Sequence, residues 1–168
     1  MGLRPDEFLP GGGAESQMAL FSHPVHPMLV AFPIAFLHAV VLTDLAYLWT
    51  ADPFWARASY WLLLASVVSG GAASLVGFSD WLLVRDIRRH LTSWGHFLAA
   101  VTMMSLVLAN WLQRLDRHEA AIMPWGLFMS VLTVAMLLVA AWLGGRLVFE
   151  HNLGPGSPLY EAVRQDED

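Results

Sequence analysis

Four long stretches of this chain contain no Asp, Glu, Lys or Arg: Ser16 to Thr43, Ala58 to Ser79, Leu91 to Gln113 and Ala120 to Gly145. Each is at least as long as the roughly 20 apolar residues that cross a bilayer as a helix. Apolar positions run round every face of these stretches, and strict period-two alternation is absent, so they read as lipid-immersed helices and not as barrel strands. The first stretch opens with polar, proline-dotted chain, which puts its spanning part at Met28 to about Trp49 with Asp44 near the far end. The fourth starts at Pro124 or Trp125, because proline is tolerated in a first helical turn. The connections, Thr50 to Arg57, Asp80 to His90 and Arg114 to Met123, are short enough to make consecutive helices antiparallel neighbours.

The expected fold is therefore all-α, an integral membrane four-helix bundle running up-down-up-down. Its helices cover about 26–49, 57–82, 90–114 and 124–150, within one domain over 22–154. Residues 1–21 read as a flexible leader without the basic-then-apolar order of a signal peptide, and 155–168 as a flexible acidic tail. No internal repeat stands out.

Composition agrees with a membrane protein. The chain is 57% hydrophobic and 14% charged, against about 25% charged residues in soluble domains. Trp49, Trp55, Trp61, Trp81, Trp94, Trp111 and Trp125 fall close to the expected helix ends, where aromatic belts form. The absence of cysteine removes disulfide scaffolds, cysteine zinc sites, cysteine-bound iron–sulfur clusters and covalently attached haem. A net charge of −5 with nine cations, all arginine, argues against a nucleic-acid partner. One face would carry Arg4, Arg85, Arg88, Arg89, Arg146 and Arg164, and the other Arg57, Arg114 and Arg117, so both termini are expected in the cytoplasm. There is no phosphate-cradling glycine loop, no HExxH and no nucleophile elbow, which leaves an electron carrier or redox subunit ahead of a stand-alone enzyme.

Histidine placement carries most of the chemistry. His23, His26, His90, His96 and His151 all fall at one end of the expected bundle, delivered by three helices, while His118 lies at the other. Ionisable groups at membrane depth are costly and point to function. Two imidazoles from facing helices can ligate haem iron axially, with Arg85, Arg88, Arg89 and Arg146 at the same end pairing with the propionates. Alternatively, three or four imidazoles from His23, His26, His96 and His151 would hold a divalent transition metal such as zinc or copper. His38 lies near the bilayer midplane and about 120° from His26 around the helix, which makes it a hydrogen-bonded core histidine unless a tilt brings it level with His96.

Small residues at Ser66, Ser69, Gly70, Ala73, Ser74 and Gly77, and at Ala140, Ala141, Gly144 and Gly145, have the spacing of close helix packing, with room for a flat cofactor as the alternative. Asp80 and Arg146 are expected at one level as an interhelical ion pair, or Asp80 as a partner orienting a ligating imidazole. Glu150 offers Arg146 an alternative partner one turn on, and Asp44 reads as a helix-end hydrogen-bonding group.

Four motifs in order, His23-Pro-Val-His26-Pro-Met-Leu-Val, Gly77-Phe-Ser-Asp80-Trp81, His96 opening the third helix, and Gly144-Gly-Arg-Leu-Val-Phe-Glu-His151, resemble a bacterial family. It is the four-helix membrane proteins known as domain of unknown function 2231. The resemblance covers about residues 22–154 and implies a four-helix membrane domain in the bacterial inner membrane without an established activity. Fusion of some relatives to Rieske-type domains implies electron transfer. The family pattern falls on His23, His26, Asp44, Asp80, His96, Arg146 and His151, and omits His38 and His90. After His151 this chain reads Asn-Leu-Gly-Pro where the family tends to Gly-Val-Gly.

The resulting expectation is a membrane electron-transfer protein that binds a b-type haem through His26 and His96, with His38 or His151 as the substitute ligand and Arg89 and Arg146 near the propionates. A quinone or a redox protein is the expected partner beside the lipid bilayer, and self-association into a homo-oligomer is left open. The competing classes are a histidine-based metal-binding membrane protein and a non-catalytic subunit of a larger membrane complex.

Overall fold

A computed structural model describes residues 19–20, 23–83 and 87–149. Two two-residue strands, β1 (Ala19–Leu20) and β2 (His23–Pro24), pair antiparallel and lead into α1 (Val25–Thr50). Then follow α2 (Pro53–Leu83), a 3-10 turn (Ile87–Arg89), α3 (Leu91–Gln113), a wide turn (Ile122–Gly126) and α4 (Leu127–Phe149). Four helical spans are each long and apolar enough to cross a membrane. At 1.5 Å per residue the 23 residues of α3 alone reach ~35 Å. The chain is a multi-pass helical membrane protein.

α2 starts four residues ahead of its expected position, and the chain between α1 and α2 explains why. Ala51 turns the chain with φ 53° while its N–H still bonds the Tyr47 carbonyl. Asp52 then caps α2, its Oδ1 accepting the Phe54 N–H at 2.8 Å, and Pro53 takes the first helical position. Outward-facing side chains are apolar, among them Leu42, Val68, Leu75, Leu98 and Leu138. The hydroxyls of Thr43, Ser66, Ser69, Ser79 and Ser105 each donate to a carbonyl one turn back, which satisfies them within their own helix.

The closest packing is within the pairs α1–α2 and α3–α4, so the bundle is two helical hairpins facing one another, with α1 diagonal to α3. The core between them is Leu37, Val40, Leu63, Met103, Val107 and Leu137. Beyond this core, at the level of Asp44, lies a buried polar network. Asp44 and Arg114 are both fully buried and joined twice, Nη1 to Oδ1 at 2.7 Å and Nη2 to Oδ2 at 2.9 Å. Ser59 of α2 donates to Oδ1 at 2.6 Å and Ser130 of α4 to Oδ2 at 2.7 Å. The Arg114 Nε–H donates to Asn110 Oδ1 at 3.0 Å, and Asn110 in turn donates to Ser130 Oγ and the Gly126 carbonyl. Asp44 is thus more than a helix-end group, and Arg114 is a bundle residue and not a surface cation. A guanidinium with a bidentate carboxylate partner can sit where an unpaired one could not.

The two hairpins also repeat one another, contrary to the sequence reading. The buried positions Leu37, Val40 and Asp44 of α1 recur 70 residues later as the buried Val107, Asn110 and Arg114. Buried Ser59, Leu63, Ser66 and Ala73 of α2 recur 67 residues later as buried Gly126, Ser130, Thr133 and Ala140. Residue identity is lost at most of these positions because packing constrains burial and size, and a charge pair needs opposite partners.

Replacing Asp44 with Asn should strand a buried guanidinium at a cost of about 3–5 kcal/mol. Thermal unfolding in detergent should show a large drop for Asp44→Asn, and recovery of most of it in the double variant Asp44→Leu/Arg114→Met. A single variant as stable as the parent would remove the pair from its role as the bundle's polar anchor.

Candidate functional site

The equivalence that pairs Asp44 with Arg114 also pairs His26 with His96, again 70 residues apart. These two rings meet between α1 and α3 at the other end of the core, with centroids 6.4 Å apart and planes at 90°. The site is assembled in the same way from each hairpin. His26 Nδ1–H donates across to the Ala73 carbonyl of α2 at 2.8 Å, and His96 Nδ1–H across to the Ala140 carbonyl of α4 at 2.8 Å. A carbonyl only accepts, so each Nδ1 carries a proton, and a neutral ring keeps its lone pair on Nε2. One turn beyond each carbonyl is a glycine against the ring: Gly77 beneath His26 and Gly144 beneath His96.

The chemical consequence lies in what the two ends of the seam cannot share. Asp44 and Arg114 are complementary and satisfy one another. Two imidazoles with both Nδ1–H groups committed to carbonyls have only acceptors left, so they cannot hydrogen-bond to each other. They are equipped to receive a metal centre or a proton. Histidines that ligate metals characteristically donate the second ring nitrogen to a carbonyl or carboxylate, as both do here. With metal–nitrogen bonds of about 2 Å and ~1 Å from ring centre to nitrogen, two imidazoles on one ion have centroids about 6 Å apart, close to the observed separation.

An aromatic group adjoins the pair. Phe78 follows Gly77 and Phe97 follows His96, and both stack with Trp81, at 6.0 and 5.2 Å. Trp94 meets Trp81 edge-on at 4.8 Å, and the Arg88 guanidinium lies 5.8 Å from the Trp81 ring centre. Asp80 is buried at this end of α2, and Arg89 and Arg146 lie at the same end, exposed.

Other sequence candidates are placed apart. His38 is an exposed residue on the outside of α1, its Nδ1–H bonded to the Ile34 carbonyl of its own helix at 2.8 Å. It is hydrogen-bonded but not a core histidine, because the 120° of helical rotation that separates it from His26 carries it to the outer surface. His90 precedes α3, and His118 packs edge-on against Tyr60 at 4.5 Å near the opposite end. His23 lies in β2, leading into α1. His151, Glu150, Arg85 and most of the leader and tail lie outside the described residues.

The family described as "Predicted membrane protein (DUF2231)" matches residues 22–156. The chain belongs to this family. The match takes in both hairpins, and with them the histidine pair and the Asp44–Arg114 network. No curated protein and no solved structure matches this DUF2231 chain.

Arg114, Asn110, Ser59 and Ser130 do not stand out in the sequence because nothing local shows that the guanidinium at the end of α3 turns back onto Asp44, 70 residues away. A usable signal was present in the spacing: His26 to Asp44 and His96 to Arg114 are both 18 residues. The glycine stripes were visible, but at Gly77 and Gly144 the small residue admits an imidazole ring and not another helix.

The outward position of His38 makes a clear prediction. Its replacement by Phe should leave the thermal unfolding midpoint in detergent unchanged, whereas a core histidine would register the loss. A marked destabilisation by His38→Phe would mean that the side chain is covered in the folded protein.

Proposed function

We propose that this DUF2231 protein is a membrane electron carrier that binds a b-type haem between His26 and His96. The observation that carries the reading is the facing pair itself: two imidazoles 6.4 Å apart, each with Nδ1–H spent on a backbone carbonyl and Nε2 left as an acceptor. Two protein ligands complete a haem iron, to which porphyrin supplies the other four nitrogens, whereas zinc sites usually take three or four protein ligands.

Haem bound in this way supplies reversible one-electron transfer. The chain's own residues would do the rest: the Ala73 and Ala140 carbonyls fix each tautomer, the helices exclude water, and the Arg89 and Arg146 side chains provide cations for the propionates. Two histidine ligands would leave a bound haem no open coordination position for a substrate, which favours a carrier over a stand-alone enzyme. A quinone or a redox protein would exchange the electron.

The proposed setting is the bacterial inner membrane with both termini cytoplasmic. The orientation rests on the arginine count, six on the face that carries both termini against three on the other.

Protein purified in mild detergent from haem-replete cells should show a Soret band, with sharpened α and β bands on dithionite addition. His26→Ala and His96→Ala should each abolish the reduced spectrum, and His38→Ala should retain it. A colourless, fully folded preparation would sink the haem assignment, and stoichiometric zinc or copper without porphyrin absorbance would replace it with a metal-ion site.

A further inference from the structure

We propose that Gly77 and Gly144 are positioning residues that hold His26 and His96 with their ring planes crossed, so that a haem bound there carries perpendicular axial imidazoles. The inference rests on the haem reading for its ligand and on the backbone for its geometry. Each imidazole is held at two points. The first is the Nδ1–H bond to a carbonyl, Ala73 for His26 and Ala140 for His96, at 2.8 Å in both cases. With Cβ fixed by the chain and Nδ1 by the carbonyl, the ring could still rock about the line that joins them. The second point is the glycine four residues on, which lies one turn further along the same helix face.

At Gly77 the space a side chain would need is taken by the ring. A Cβ there would stand 2.7 Å from both His26 Cε1 and Nδ1. At Gly144 it would stand 3.2 Å from His96 Cε1 and 3.3 Å from Nδ1. Because Nδ1 is tethered, the ring cannot slide away without breaking its bond to the carbonyl, and it has to tilt. Two other glycines of the same helices have no such duty: a Cβ on Gly71 or Gly145 would meet nothing within 4 Å. Glycine is a poor helix former, so its presence at Gly77 and Gly144 is explained by the ring contact and not by the helix. The two devices are equivalent positions of the two hairpins, and together they set the 90° angle between the rings.

Crossed axial imidazoles would leave the two iron dπ orbitals, dxz and dyz, close to degenerate. The ferric form then gives one strongly anisotropic low-field resonance, whereas parallel rings give a three-line rhombic spectrum. Electron paramagnetic resonance of the purified haem protein should show the anisotropic signal in the parent. Gly77→Ala should convert it toward the rhombic form, Gly144→Ala should do so to a smaller degree, and Gly71→Ala and Gly145→Ala should leave it unchanged. The milder Gly144→Ala keeps the test open should Gly77→Ala fail to fold.

A rhombic spectrum in the parent, or a folded Gly77→Ala and Gly144→Ala that both retain the parent signal, would overturn the inference while leaving haem binding intact. Absence of haem from the parent would overturn the haem reading, and the positioning role is then read in the haem-free protein. There, 15N spectra of the histidine side chains should report the Nδ1–H tautomer for His26 and His96. Gly77→Ala should lose it at His26 alone and Gly144→Ala at His96 alone; tautomers indifferent to both substitutions would overturn the role of the glycines.

Discussion

A carboxylate and a guanidinium buried in a membrane bundle must find each other, and the place where they do so sets the geometry of everything else in this protein. Asp44 and Arg114 approach from diagonal helices, and Ser59 and Ser130 close the ring from the other two, so one network touches all four helices. A bidentate pair is directional as well as strong, and it fixes the rotation of α1 and α3 about their own axes. His26 precedes Asp44 by 18 residues and His96 precedes Arg114 by the same number. At 3.6 residues per turn that is about five whole turns, which returns to the same face ~27 Å away. Once Asp44 faces Arg114, His26 has to face His96.

The seam between the hairpins therefore has two poles of opposite character joined by an apolar middle of Leu37, Val40, Met103 and Val107. In a two-fold arrangement, equivalent residues meet each other. Opposite charges at equivalent positions make a closed, self-satisfied contact. Identical acceptors at equivalent positions make an open one, which is completed only by something placed between them. One repeat thus supplies both an anchor and a receptive pair, at opposite ends of the bundle.

Much of this was legible beforehand, and the parts that were not share a cause. The spans follow from the absence of charge in four long runs, because hydrocarbon tolerates little else. The repeat was hidden because its equivalent residues differ in chemistry: an acid opposite a base, a serine opposite a glycine. The cost of a polar group in the membrane predicts a core position for His38, yet a hydrogen bond to the carbonyl one turn back lets it stay on the outer face. Along the sequence Arg114 has the look of a surface cation, because a charge ends the apolar run, and only its partner Asp44 allows that charge inside the bundle.

By itself the sequence determined the class of protein, four apolar spans in a cysteine-free chain, and narrowed any bound cofactor to one that imidazole and carboxylate can hold. It also determined that His26 and Asp44 share a face of α1, since helical period is a local property. What only the tertiary structure decided is which faces meet. That choice depends on contacts between residues about 70 positions apart, and on rings that seat where two glycines leave the backbone bare. Local periodicity places a side chain on a helix. The neighbour it finds is settled by the packing that joins Asp44 to Arg114.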